Sequence, residues 1–400
     1  MRKVKIGLIG CGTVGGGVVK LLFKEGSNYQ DRFGPEIELA KVCSRTKSKI
    51  TALGVPEDRI VDDYRQIIDD PEIDIVVELV GGTGFAGDVV RNALKAGKNV
   101  VTANKALLAE YGEEIFHLAD SGEGSVSFEA AVGGGIPIVD PLKRSLVGNR
   151  INYVMGILNG TTNYMLDAMQ RRSLGYAEAL SDAQRLGYAE ADPSADVSGL
   201  DALRKIVLSA AVAYDLLPVE GLCHEGIESI TAEDVKRIQA RGLSCRLMAK
   251  CGPAAGGKVY AYVEPVLFPA SAPECSVLDN YNMARYEGKC AGPMVFMGQG
   301  AGRWPTASAV LRDLDCILKG RLQMLSPACQ EGSADNGACR HSYYVRLPSS
   351  LSGCFEAKSY SEADGVSELI TKPMSVKAMH EMAARLRGEG ASLFFAALEG

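Results

Sequence analysis

An aspartate followed four residues later by a lysine, at the head of an apolar helix, is a pairing that can handle protons. Asp201 and Lys205 share one helix face at this spacing, and the chain continues as Ile206-Val207-Leu208-Ser209-Ala210-Ala211-Val212-Ala213. A helix apolar nearly all round is an interior helix. A solvated i,i+4 ion pair contributes only about 0.2–0.5 kcal/mol. On the first turn of an interior helix the pair is not bathed in bulk water, and a desolvated lysine suits general acid–base work. The loop that feeds this helix carries Glu190, Asp192 and Asp196, and Pro193 and Gly199 interrupt it.

The second chemical feature is Gly10-Cys11-Gly12-Thr13-Val14-Gly15, which fits G-x-G-x-x-G between a strand pattern (Val4–Ile9) and a helical one (Val14–Phe23). Gly10 permits the tight turn, Gly12 admits a pyrophosphate to the backbone, and Gly15 lets helix pack on strand. Thr13 and Val14 open the helix, whose free amides face the anion. The second strand ends in Val42-Cys43-Ser44-Arg45-Thr46-Lys47, with no carboxylate to bind a ribose 2′-hydroxyl. Arg45 and Lys47 could instead neutralise a 2′-phosphate, which favours NADP over NAD.

These features need a scaffold. The first 150 residues alternate strand and helix signals, and Ile73–Val80 reads as a strand buried on both faces. The expected fold is α/β: a Rossmann-type doubly wound parallel sheet over 1–150. A substrate-binding and dimerisation domain of α+β type is expected over 151–325, with helices at Tyr164–Arg172, Tyr176–Leu186 and Leu200–Leu217. Residues 326–341, rich in Ser, Ala, Gly and Asn, read as a linker. The tail, 342–400, reads as a small α+β module, marginal at its size.

Several motifs then converge. Ala183 to Lys205, with Gly187, Asp192-Pro193, Asp196, Gly199, Asp201 and Lys205, resembles the signature of homoserine dehydrogenases. So do Val100-Val101-Thr102-Ala103-Asn104-Lys105, Gly156-Ile157-Leu158-Asn159-Gly160-Thr161-Thr162-Asn163-Tyr164 and Pro305-Thr306-Ala307-Ser308-Ala309. The resemblance implies an NAD(P)-dependent oxidoreductase that interconverts L-homoserine and L-aspartate 4-semialdehyde in threonine, methionine and isoleucine biosynthesis. It implies Lys205 as proton donor, Asp201 as its orienting partner, and Lys105 reaching substrate and cofactor. Glu190 would hold the substrate ammonium, Gly160, Thr161, Tyr188 and Asp196 would line the substrate site, and Gly187 and Gly302 would approach the cofactor. Phe128 to Pro137 is similar to the family segment that holds a monovalent cation, usually sodium, with Glu129 and the carbonyls of Val132, Gly134 and Ile136 as ligands. The tail resembles a threonine-sensing ACT domain whose first helix start is replaced by Pro348-Ser349-Ser350-Leu351-Ser352-Gly353-Cys354, a degenerate version of it. A homodimer or homotetramer is implied.

Other classes fit poorly. With 43 Lys+Arg against 49 Asp+Glu and no block of like charge, neither nucleic acid nor an anionic membrane is an expected partner. No apolar run approaches the roughly 20 residues of a bilayer span, and the amino terminus lacks a signal-peptide layout, so a cytoplasmic chain is expected. The 11 cysteines form no CxxC, which argues against structural zinc. Aspartate-semialdehyde dehydrogenase would need a cysteine nucleophile beside a histidine, and none of the four histidines offers that context. A non-catalytic dinucleotide-binding regulator would have no use for Lys105, Glu190, Asp201 and Lys205.

Overall fold

The computed structural model describes residues 3–23, 37–122, 124–146, 148–320 and 329–399. Contacts divide the chain into two compact units. Met1–Gly148, Ala211–Leu217 and Gln299–Glu331 form the first, and Asn149–Ala210, Pro218–Gly298 and Gly332–Gly400 the second.

In the first unit, β1 (Val4–Ile9), β2 (Ile37–Cys43), β3 (Ile60–Val61), β4 (Ile75–Glu78), β5 (Asn99–Thr102) and β6 (Val126–Ser127) form a sheet in the order β3-β2-β1-β4-β5-β6. Every pairing is parallel, and the order is that of a doubly wound dinucleotide fold. β4 is buried at every position, as a strand covered on both faces must be. Helix α1 (Thr13–Phe23) packs closely on helix Arg303–Leu318: a Cβ on Gly17 would lie 2.9 Å from the Arg303 side chain and 3.0 Å from that of Ala307. Ala307, Val310, Leu311 and Leu314 thereby join one core with Ile6, Leu8, Val18, Val42 and Val77. This burial corrects the linear boundaries 1–150 and 151–325, because the helix from 303 returns to the first unit. Residues 321–325, the end of the expected second domain, lie outside the described residues.

The second unit is a mixed sheet of ten strands among the described residues. Edge to edge run Gly292–Gln299, Tyr281–Gly288, Ile151–Ile157, Leu243–Pro253, Val259–Pro269, Phe394–Leu398, Tyr343–Pro348, Val366–Thr371 and Ala357–Ala363, and Cys223–His224 also pairs with Val259–Pro269. The tail is therefore no separate module. Val266 and Leu267 pair in parallel with Ala397 and Leu398. One core holds Met155, Met248, Val266 and Phe268 together with Tyr343, Val345, Leu369, Met379 and Phe395. A module of about sixty residues is marginal in the apolar surface it buries, and continuing an existing sheet removes that difficulty. Within the tail the first crossover is only a 3₁₀ segment, Ser349–Cys354, and helix Val376–Gly388 supplies the second.

The expected linker is fastened as well. Its residues 326–328 lie outside the described residues. Beyond them Asn336 is 1% exposed, accepts a hydrogen bond from Ala261 N at 3.0 Å, and donates to Ala261 O and Gly221 O at 2.9 and 2.8 Å. A side-chain amide thus takes the place of a strand neighbour, which a polar composition conceals. Among the described residues no helix is long and apolar enough to cross a membrane.

Candidate active site

In the second unit, strand Ile151–Ile157 ends where helix Gly160–Arg172 begins. Asn159 is its N-cap, accepting from Thr162 N at 2.8 Å. Gly160 is required here because a Cβ would sit 2.7 Å from Asn280 O. Beside this corner, the first turn of helix Leu200–Tyr214 presents Asp201 and Lys205, 7% and 6% exposed. Lys205 Nζ donates to Asp201 Oδ2 at 2.7 Å and to Leu158 O at 2.6 Å. The Asn159 amide donates to Asp201 Oδ2 at 2.9 Å and to Asp196 Oδ1 at 2.7 Å. Thr161 Oγ1 lies 3.1 Å from Asp196 Oδ2 and 2.6 Å from Tyr188 O. Burial first, and then the charge of Asp201, push the Asp196 carboxyl above its ordinary range, while Asn159, Lys205 and Thr161 pull it down.

The structure therefore gathers Lys205, Asp201, Asp196 and Thr161 into one hydrogen-bonded network, with Gly160 next to Thr161 at the head of its helix. Asn159 belongs to it and escapes the sequence reading, although an asparagine directly before a helical pattern is an N-cap signal. The same residue begins an Asn-Gly-Thr sequon, yet it is 4% exposed and already committed. Tyr188 and Glu190 lie on the exposed loop that follows helix Tyr176–Arg185. The Tyr188 ring meets Tyr164 edge-on with centroids 5.1 Å apart. The Glu190 carbonyl accepts from Gln184, and its carboxylate has no partner among the described residues. Gly187 has φ +76, and a Cβ there would meet nothing within 4 Å.

The first unit builds its site largely by leaving side chains out. Gly10 has φ +99, and a Cβ there would lie 2.6 Å from Leu79 C and O and 2.8 Å from Val80 N. At Gly15 a Cβ would sit 2.1 Å from Gly10 O, so helix and turn can close only around glycine. At Gly12 nothing lies within 4 Å. Since Gly16 N makes the bond back to Gly12 O, the preceding amides, including those of Thr13 and Val14, have no helical carbonyl and can meet a pyrophosphate. Gly302 (φ +111) opens helix Arg303–Leu318 in the same unit. At the end of β2, Lys47 is held by Asp62 at 2.7 Å, whereas Arg45 is exposed without a partner among the described residues. Lys105 is the first residue of helix Lys105–Ser121, whose N-cap Asn104 accepts from Leu107 N at 3.2 Å.

The segment expected to hold a cation is built around Glu129. Glu129 is completely buried, and burial pushes its pKa up against Arg312 and three amides. Those amides are Ile138 N and Val139 N on Oε1, at 2.7 and 3.2 Å, and Asp140 N on Oε2 at 2.6 Å; Arg312 lies 3.5 Å away. Three amides thus occupy acceptor positions of the Glu129 carboxylate, and the Arg312 guanidinium stands beside it. The carbonyls of Val132, Gly134 and Ile136 accept no hydrogen bond among the described residues. Positive φ at Gly133 (+77) and Gly134 (+56) turns the backbone of this segment.

A glycine cradle on a doubly wound sheet, together with a dry lysine–aspartate pair, is the equipment of a nicotinamide-dinucleotide oxidoreductase. Comparison with known proteins narrows the class. Residues 10–129 match the homoserine dehydrogenase NAD-binding domain, and residues 137–314 match the homoserine dehydrogenase domain proper. The homoserine dehydrogenase of Corynebacterium glutamicum is 43% identical over 316 residues, covering 78% of this chain and 71% of that protein. The crystal structure of a homoserine dehydrogenase from Thiobacillus denitrificans superposes with TM-score 0.88 at 33% identity, covering 100% of this chain and 99% of that one. A hyperthermophilic archaeal homoserine dehydrogenase in complex with NADPH superposes with TM-score 0.66 at 26% identity, covering 80% and 98%. The chain belongs to the homoserine dehydrogenase family. It is an NAD(P)-dependent oxidoreductase acting on the homoserine/aspartate-semialdehyde couple.

Proposed function

We propose that Lys205 is the proton donor to the aldehyde oxygen of L-aspartate 4-semialdehyde, and the acceptor of that proton when L-homoserine is oxidised. The observation that carries this reading is the Lys205 ammonium, 6% exposed and held at 2.7 Å by Asp201 and 2.6 Å by Leu158 O. Two acceptors occupy two of its three protons and leave one to aim at a substrate oxygen. The nicotinamide, when bound, supplies or takes up the hydride. A cation directed at the developing alkoxide stabilises it and then transfers the proton, so no water need reach the carbonyl. Asp201 orients the amine, and the Asn159 amide bridges Asp201 and Asp196. Thr161, Gly160, Tyr188 and Asp196 line the substrate position, Glu190 takes the substrate ammonium, and Lys105 reaches substrate and cofactor. Gly187 and Gly302 leave room for the dinucleotide.

NADP is the preferred cofactor on this reading, since Arg45, without a partner among the described residues, follows β2 where a 2′-phosphate would lie, and the archaeal relative carries NADPH. A monovalent cation, sodium by its ligand chemistry, would be held by the carbonyls of Val132, Gly134 and Ile136. The carboxylate of Glu129 would shape that loop and not ligate. A homodimer, or a tetramer made from it, is the proposed assembly. The edge strand Gly292–Gln299, which exposes Val295 and Met297, supports an interface on the second unit's sheet. A cytoplasmic location accords with its free thiols.

The test is Lys205→Met. General acid catalysis is worth about 10²–10⁴-fold, so kcat should fall by that factor while the Kd for NADPH stays within about twofold of wild type. A variant that keeps most of its turnover removes Lys205 from the mechanism.

A further inference from the structure

We propose that Glu78 is a positioning residue for Lys105 and for the wall of the dinucleotide turn. The inference rests on the role given above to Lys105. Glu78 ends β4, in parallel register with Ile9, the residue before Gly10. Its three strand predecessors are Ile75, Val76 and Val77, all buried, and an apolar residue would continue the pattern. Instead the position carries a carboxylate with 0% exposure, and no lysine, arginine or histidine pairs with it among the described residues. Burying such a charge is costly unless hydrogen bonds replace the lost water.

Here they do, and each serves the site. Oε1 accepts from Val80 N at 2.7 Å and Gly81 N at 3.0 Å. Val80 N is part of the backbone that leaves Gly10 no room for a Cβ, so this grip fixes one wall of the phosphate turn. Oε2 accepts from the Thr102 hydroxyl at 2.6 Å, across the β4–β5 register. Thr102 Oγ1 in turn accepts from Asn104 N at 3.1 Å. Asn104 caps the helix that Lys105 begins, and its amide returns to Gly82 O at 2.7 Å. One carboxylate thus ties the crossovers after β4 and β5 together at the carboxyl edge of the sheet, where open α/β sheets bind their ligands. Lys105 leaves the chain one residue beyond the last link.

The chain of donors has a direction that substitution can reverse. In Glu78→Gln the amide oxygen can still accept from Val80 and Gly81, but the amide nitrogen then faces Thr102. That hydroxyl already accepts from Asn104, so its own proton is left without the acceptor it now uses. The β4 turn survives and the branch toward Lys105 breaks. Thr102→Val breaks the same branch one link further on, and Thr102→Ser keeps it.

The experiment is a double-mutant cycle: Glu78→Gln and Thr102→Val, each alone and each with Lys105→Ala. It reads kcat, KM for L-homoserine, Kd for NADPH, and Tm. A misplacement of about 1 Å can cost about 10²-fold, so each single variant should lose about 10- to 100-fold in kcat/KM. Combined with Lys105→Ala, each should add no more than about twofold, since residues that act through one another are not additive. Thr102→Ser should stay within about threefold of wild type. If Glu78→Gln fails to fold, Thr102→Val reads the same coupling. Losses that multiply in the Lys105→Ala background would show that Glu78 serves the fold alone and would overturn the inference. Full activity in Lys105→Ala would instead overturn the role of Lys105 on which it rests.

Discussion

The candidate sites of the two units are built on opposite physical plans. In the second unit Lys205, Asp201, Asn159, Asp196 and Thr161 are joined by hydrogen bonds, with contacts between 2.6 and 3.1 Å that include Leu158 O and Tyr188 O. In the first unit the pyrophosphate turn is defined by what is missing, with Gly10 and Gly15 allowing no Cβ and Gly12 facing open space. The proton transfer proposed for Lys205 needs an amine whose position is fixed before substrate arrives, which a dry, hydrogen-bonded network favours. Binding a large anion needs unsatisfied amides that gain their partners only from the ligand. Rigidity in one place and openness in the other follow from those two tasks.

The contrast can be broken first at the cradle. Gly10→Val places a branched side chain at φ +99 against the backbone of Leu79 and Val80. Left-handed strain alone costs about 1–2 kcal/mol, and the clash adds to it, so the Kd for NADPH should rise by about 100-fold or more. Titration of NADPH fluorescence checks this, and near-normal binding would mean that the turn does not hold the dinucleotide.

The network can be sharpened through Asp196. Burial and Asp201 raise its pKa in the folded protein. A carboxyl with a raised pKa favours folding while it is protonated, and that contribution is lost as pH rises from the unfolded value through the folded one. Asparagine at this position does not ionise. The Tm of Asp196→Asn relative to wild type should therefore be higher at pH 7 than at pH 4, by about 2–4 °C for each kcal/mol of linkage, even as turnover falls. A Tm difference that does not change with pH would contradict the assignment.

The smallest effect is expected at the open end of β2. An exposed cation contributes at most about 1 kcal/mol, so Arg45→Ala should lower the preference for NADP over NAD by about two- to fivefold. Parallel KM measurements with the two cofactors decide it, and an unchanged ratio would free Arg45 from any part in cofactor choice.

Much of this was readable from residue order alone, for identifiable reasons. Parallel strands buried on both faces, such as β4, are continuous apolar runs, and a glycine turn at a strand–helix junction is local in sequence. The Asp201–Lys205 pair is legible because helix geometry fixes i,i+4 neighbours. Features that depend on distant partners were not legible. Asn159 acts by bridging Asp196 and Asp201, 37 and 42 residues further on. The amides of Ile138, Val139 and Asp140 fold back onto Glu129 from beyond the glycines, which no local pattern announces. Helix Arg303–Leu318 returns to the first unit because of burial against α1, which no local pattern announces. Asn336 hides a strand-like role inside a composition that reads as linker.

If Lys205 is the proton donor proposed above, its preset ammonium, and not the cradle, sets the rate of the chemical step. Single-turnover hydride transfer from NADPH deuterated at C4 to L-aspartate 4-semialdehyde, followed by loss of reduced-nicotinamide absorbance, measures that step directly. In Lys205→Met hydride transfer should slow by about 10²–10⁴-fold, with the primary isotope effect fully expressed and NADPH loading intact. Hydride transfer at the wild-type rate in that variant would contradict it.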